Sequence, residues 1–392
     1  MELLAPGGSL EKLKTAVLYG ANAVYVGGER FGLRAAADNF SEIELKDGVD
    51  FAHKHGALVY LTLNSFLYGE EIQQLRDYLP TLENIGVDGA IVSDIGVFEV
   101  VASLSSLPIH VSTQASTINL PHVEFWKRQG ARRVILGREV SMAAAIEMRK
   151  EAKIEIELFI HGSMCIAYSG NCIISNFTSG RDSNRGGCAH SCRFLYELSF
   201  PENGKKEKSY FMSSKDLWGI AQVKAAIEGG IDSLKIEGRM KSNLYVASTT
   251  KLYSQLVKDI LSGKLEGDDI LIKYQNEFLK IPNRHYCDGN LSQYAGMDSI
   301  YNDRENEIKE YDFVGVVLEA DQSDFMLVEV RRTFYEGDML ELITFEGEDI
   351  TFKALHILDV RGNRQLKSRP GTLIKMQKIS QAAKWNLLRA KI

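Results

Sequence analysis

For its first 260 residues the chain alternates short apolar runs with longer amphipathic stretches. Runs at 2–5, 23–27, 58–63, 89–93, 109–112, 133–136, 154–160 and 233–236 have strand length and are bounded by turn residues. Helical periods follow them. Ser9 is placed to cap a helix that ends at Tyr19, and Ser41 with Glu44 forms a capping box for one running to His55. Further helices are expected over 70–85 and 244–261, and from about 97, 121 and 141. A short run at 210–213 reads as an extra strand and 216–228 as a helix. Eight β–α units joined by short Gly-containing turns imply parallel strands and right-handed crossovers. They predict a closed (β/α)₈ TIM-like barrel over 1–261. An open doubly wound sheet is the alternative, but no G-x-G-x-x-G follows the first run. A cysteine-rich insertion over 161–210 interrupts the series, and 262–311 reads as a charged linker that packs on the barrel. Strict alternation then predicts a small antiparallel β-barrel over 312–380, with 381–392 left as a basic C-terminal tail.

Composition changes this picture little. Apolar residues make up 45% and charged residues 25% of the 392, as in ordinary soluble proteins. The N-terminus lacks a signal-peptide pattern and no run is long enough to span a bilayer, so no membrane role and a cytoplasmic location are expected. Thiols stay reduced there, and clustered cysteines point to metal binding or catalysis before disulfides. Charge is uneven. The chain carries −6, yet residues 361–392 hold nine basic and no acidic side chains, which suggests a local contact with RNA phosphates or a solvated end.

In such a barrel the chemistry lies at the C-terminal ends of the strands. The polar groups there supply the candidates. His161, Glu237 and Arg239 are candidate catalytic residues; Arg34, Asn39, Asn64, Gln114 and Arg138 are candidate substrate-binding residues. Arginines converging on one mouth suit a carboxylate or phosphate, although about half of such rim charges are expected in structural ion pairs. Four of the five cysteines, Cys165, Cys172, Cys188 and Cys192, fall after the seventh strand with C-x6-C-x15-C-x3-C spacing. Zinc knuckles use tighter pairs, so this spacing favours an iron–sulfur cluster over zinc; burial as core cysteines is the bland alternative. Cys287 stands apart and reads as a packing residue. No serine elbow, H-E-x-x-H or P-loop is present.

The run Glu157-Leu158-Phe159-Ile160-His161-Gly162-Ser163-Met164-Cys165, with Gly170-Asn171-Cys172, resembles the signature of the collagenase-like peptidase family U-32. Leu4-Ala5-Pro6-Gly7-Gly8, the stretch from Arg34 to Phe40, Arg185-Gly186-Gly187-Cys188 with Cys192-Arg193, and Lys235-Ile236-Glu237-Gly238-Arg239 resemble it too. In length and motif the chain is similar to the branch that hydroxylates bacterial tRNA. That resemblance implies 5-hydroxyuridine at the wobble position as product, prephenate (a small dicarboxylate) as co-substrate, and a 4Fe–4S cluster on Cys165, Cys172, Cys188 and Cys192. Relatives that hydroxylate rRNA make rRNA a second possible partner. The segment from Ile281 to Cys287 departs from the family pattern. Two other functions fit the residues: a U-32 metallopeptidase with zinc, and a zinc-stabilised RNA-binding scaffold.

Overall fold

The computed structural model describes residues 1–33, 39–264, 268–296, 308–320 and 324–392, apart from the side chains of 268–270. Its first half is built from β1 (Glu2–Gly7), α1 (Leu10–Leu18), β2 (Ala23–Gly27), α2 (Glu42–Lys54), β3 (Leu58–Leu63), α3 (Gly69–Ile85), β4 (Gly89–Val92) and α4 (Ile95–Leu104). It continues through β5 (Ile109–Val111), α5 (Leu120–Gln129), β6 (Arg133–Ile135), α6 (Met142–Ala152) and β7 (Glu155–Ser163). The insertion contributes α7 (Ile174–Ser179) and a hairpin, β8 (Tyr196–Phe200) with β9 (Lys205–Ser209). Then come β10 (Asp216–Trp218), α8 (Val223–Glu228), β11 (Ser233–Ile236) and α9 (Asn243–Leu261). Strands β1 to β7 pair in parallel order, and β11 pairs with both β1 and β7, which closes an eight-stranded parallel barrel. Helix entry is set by local chemistry: the Ser9, Asp94 and Ser141 side chains cap α1, α4 and α6, and Ser41 and Glu44 form the capping box of α2.

Polar groups fill the barrel's interior beneath its mouth. Glu157, fully buried, receives Lys235 Nζ and Arg133 Nη1, both at 2.9 Å. Arg133 also reaches Glu155 at 3.0 Å and Glu2. Burial alone would raise the Glu157 carboxyl, but the Lys235 and Arg133 cations outweigh it and hold it down to about 2.

The structure departs from the sequence reading in three places. Residues 210–213 form a turn; the strand is β10, antiparallel to β7, and it occupies the start of the stretch expected to be helical. Only α8, after a 3₁₀ turn over Ile220–Gln222, is helix there. The third departure concerns 381–392. After α10 (Asp268–Leu279) and β12 (Tyr286–Cys287), the chain forms β13 (Tyr311–Glu319), β14 (Phe325–Val330), β15 (Met339–Ile343), β16 (Ile350–Lys353), β17 (Leu358–Asp359), β18 (Leu373–Gln377) and β19 (Leu387–Lys391). These last seven make a curled antiparallel sheet, in which β19 lies between β13 and β15. The expected tail is thus an interior strand. Leu387 and Leu388 are buried, and Arg389, 2% exposed, is neutralised by Glu277 at 3.1 Å, Glu341 at 2.6 Å and Asp349 at 3.2 Å. Charge counting misread it because a buried, paired arginine looks like a solvated one in sequence.

The terminal sheet is fastened to the barrel through α1 and α9. Tyr19 OH donates to Ile343 O at 2.8 Å and accepts from Leu387 N at 3.0 Å, within an apolar cluster that includes Leu244, Ala247 and Val316. Among the described residues no helix is long and apolar enough to cross a membrane.

Candidate functional site

The mouth of the barrel holds a cavity of about 160 Å³. Strand ends form its floor, with Tyr25, Thr113, Phe159 and Lys235, and the insertion that follows β7 forms its walls. The insertion is pinned to the rim at three points. Arg185 makes a two-pronged pair with Glu71 on α3, at 2.7 and 2.9 Å, and lies over the Tyr68 ring at 4.2 Å. Glu139, after β6, accepts from Ser169 N at 2.9 Å, and Ser169 Oγ accepts from Arg138 N at 3.1 Å. The third point is a bare backbone contact. Gly170 has φ +79, and a Cβ there would lie 1.9 Å from the Gln114 carbonyl oxygen, so only glycine lets the two loops meet.

That fastening brings Cys165, Cys172, Cys188 and Cys192 to one cavity. Burial pushes the Cys192 thiol up to about 11, Arg193 opposes this, and the other three sulfurs add to the rise. Four soft donors facing one space, close enough to sense one another, suit a thiolate-bound metal or iron–sulfur cluster, whose cationic iron supplies the charge that thiolates need. Among the described residues no three His, Cys, Asp or Glu side chains form a ready-made ion site, so ligation would draw the loops inward.

Two guanidinium groups face the cavity with no carboxylate partner among the described residues. Arg138 lies over Phe159 at 4.0 Å, and Arg193 donates to Met164 O at 3.3 Å and Ser214 O at 3.5 Å. The Lys235 ammonium also reaches the floor, between the rings of Tyr25 at 4.4 Å and Phe159 at 5.5 Å. Thr113, 6% exposed, has a buried hydroxyl without a hydrogen-bond partner among the described residues.

The remaining sequence candidates divide by position. Gln114, Asn64, Glu237 and Arg239 line the cavity. Arg239 is 5% exposed, and its guanidinium donates to Leu33 O at 3.1 Å, Thr62 Oγ1 at 3.3 Å and Asn39 Oδ1 at 2.9 Å. It fits because residue 27 is glycine, whose Cβ would lie 2.2 Å from it. Asn39 therefore positions Arg239, and Asn64 Oδ1 accepts from Leu33 N at 3.1 Å. Arg34 lies outside the described residues. Asp94 is a helix cap, and Cys287 packs beside the barrel opposite Leu217.

His161 is the main correction. Strand alternation puts it on the inward face with Glu157 and Phe159. The pairing of β7 with β11 slips between Lys235 and Ile236, leaving Ile160 as the extra residue. This bulge turns His161 out of the barrel, into a box of Tyr245, Tyr253, Phe278 and Tyr286 with ring centroids 5.1–5.8 Å away. Its Nδ1 lies 3.3 Å from Tyr253 OH, Nε2 has no hydrogen-bond partner among the described residues, and burial, then Lys241, lower its pKa to about 3. Sequence reasoning gave no role to Arg193 or Thr113. The signals were present, since Arg193 adjoins a candidate ligand and Thr113 ends a strand.

A closed parallel barrel whose mouth holds a cavity lined by four thiols and by arginines, with an insertion after the seventh strand as its walls, is an enzyme-like architecture. The chain belongs to the U32 family: residues 8–300 match peptidase family U32 and residues 309–389 match the peptidase family U32 C-terminal domain. It is 42% identical to tRNA hydroxylation protein P1 of Bacillus subtilis (strain 168), over 92% of this chain and 88% of that protein. It is 32% identical to tRNA hydroxylation protein P of Escherichia coli (strain K12), over 92% and 90%. The 23S rRNA 5-hydroxycytidine C2501 synthase of Escherichia coli (strain K12) is 30% identical over 95% of this chain and 57% of that protein.

Proposed function

We propose that this chain is an RNA-hydroxylating enzyme that acts on tRNA, with 5-hydroxyuridine at the wobble position as its product. The observation that carries the reading is one cavity lined by four thiols and two arginines that have no carboxylate partner among the described residues. It occurs in a chain 42% identical to a tRNA hydroxylation protein. Cys165, Cys172, Cys188 and Cys192 would hold an iron–sulfur cluster, of the 4Fe–4S type by the family resemblance, which supplies electron-transfer chemistry when bound. Arg138 and Arg193 offer forks for the carboxylates of a small dicarboxylate, prephenate by the same resemblance. Arg239, fixed by Asn39 and Thr62, and Glu237 hold the remaining polar wall. The Phe159 and Tyr25 rings keep the floor apolar around Lys235, and dry surroundings strengthen each charge–charge contact made there.

The zinc-peptidase reading pairs His161 with the thiols as a ligand; His161 points instead into the aromatic box outside, while His190 lines the cavity. The test is nucleoside mass spectrometry of tRNA and rRNA from cells lacking the gene, complemented by the wild-type chain or by Cys172→Ser or Arg138→Met. The expected result is loss of a hydroxylated pyrimidine, restored by the wild type alone. An unchanged nucleoside profile in the deletion refutes the activity. Elemental analysis of anaerobically purified protein separates iron from zinc, and a zinc-only protein that still modifies RNA removes the cluster.

A further inference from the structure

We infer that the outer face of the cysteine insertion, around Tyr168, Ile173 and Phe177, docks a single-stranded RNA loop; this rests on the RNA reading above for the class of partner. Charge is the first observation. Residues 161–215 carry seven basic and four acidic side chains, a net of +3 in a chain of −6. Residues 309–392, where the basic C-terminal end suggested phosphate contacts, balance at thirteen of each sign. There Arg389 is buried among carboxylates and Arg364 is paired with Glu336 at 3.0 Å. In the insertion, Arg181 and Lys205 are exposed and have no carboxylate partner among the described residues.

The second observation is apolar exposure within the same segment. Tyr168 is 65%, Ile173 71% and Phe177 91% exposed, and Tyr168 also lines the cavity mouth. Exposed rings on a basic segment suit unstacked bases and their phosphates, and sequence-specific RNA recognition works mainly on loops whose bases can be splayed out. A base approaching the thiols must leave its stack and pass the mouth, where the exposed Tyr168 ring is placed to stack it or a neighbour.

The test uses the full-length protein and a fluorescently labelled RNA hairpin with a single-stranded loop, alongside a blunt RNA duplex of equal length. Wild-type protein should prefer the hairpin. Phe177→Ser and Tyr168→Ser should each weaken hairpin binding by about 5- to 150-fold with an unchanged salt slope. Arg181→Ser should lower the slope of log K against log salt by about 0.7. Tyr335→Ser, an exposed ring on the terminal sheet, should change neither. If wild-type protein binds the hairpin and all three insertion variants bind it equally well, this surface is wrong while the RNA reading stands. Equal binding of hairpin and duplex also overturns the loop assignment. If the wild type binds no RNA, the RNA reading itself fails.

Discussion

His161→Phe distinguishes a structural histidine from a catalytic one. In the wild type the ring is 1% exposed, and burial, then Lys241, hold its pKa at about 3 against an ordinary 6.5. A depressed folded-state pKa means that the unfolded chain binds the proton more readily. The stability this represents is fully present above pH 6.5 and is lost as pH falls toward 3. Between pH 7 and pH 5 one such histidine contributes a loss of about 2 kcal/mol. His110 is held down to about 3 by burial and then Arg133, and adds a similar amount. Wild-type protein should therefore lose about 4 kcal/mol over this interval from the two rings, and His161→Phe about half of that. The substitution should be tolerated, since Tyr253 OH still donates to Ile160 O at 3.2 Å and four rings already surround the site. Urea unfolding at pH 7 and pH 5 measures the slope, and nucleoside mass spectrometry measures activity. A general acid or base removed from the chemistry would cost about 10²- to 10⁴-fold in rate. A loss of that size in stably folded His161→Phe, or an unaltered pH slope, would refute the structural assignment.

Other substitutions probe the remaining contacts. Glu157→Leu leaves Lys235 and Arg133 buried with a carboxylate missing, and should cost about 3–5 kcal/mol in urea unfolding; a loss below 1 kcal/mol would show that the network relaxes freely. Tyr19→Phe removes the hydroxyl's two hydrogen bonds, to Ile343 O and from Leu387 N, at the junction of terminal sheet and barrel and should cost about 1–3 kcal/mol, read as a lower Tm. Gly170→Ala forces a Cβ against Gln114 O in a left-handed backbone, so it should release the cysteine loop. Its iron content should fall while the far-ultraviolet circular dichroism of the barrel persists; full iron loading would contradict the role given to that contact. Arg138→Lys keeps the charge but loses the fork, and should raise the concentration of dicarboxylate needed for RNA hydroxylation, with Arg138→Met more severe.

How far the chain could be read depended on whether a signal was periodic or pairwise. All eight barrel strands were legible because each is a largely buried run of three to nine residues between turn signals, and β2, β3 and β11 fall where the pattern put them. The four cysteines stood out because a soft donor type was clustered in one stretch, and the fold lines one cavity with them. His161 was misread because alternation assumes an unbroken ladder, and one bulged residue reverses every later side chain. Arg389 was misread because its three carboxylates lie 40 to 112 positions away and leave no local trace. The same limit explains Arg193. Its place in the cavity depends on Met164 and Ser214 carbonyls brought together by the folded insertion, whereas Arg138 was found because it simply ends a strand. Arg138 and Arg193 enter the site from opposite ends of this problem, one set by the barrel and one by the loop.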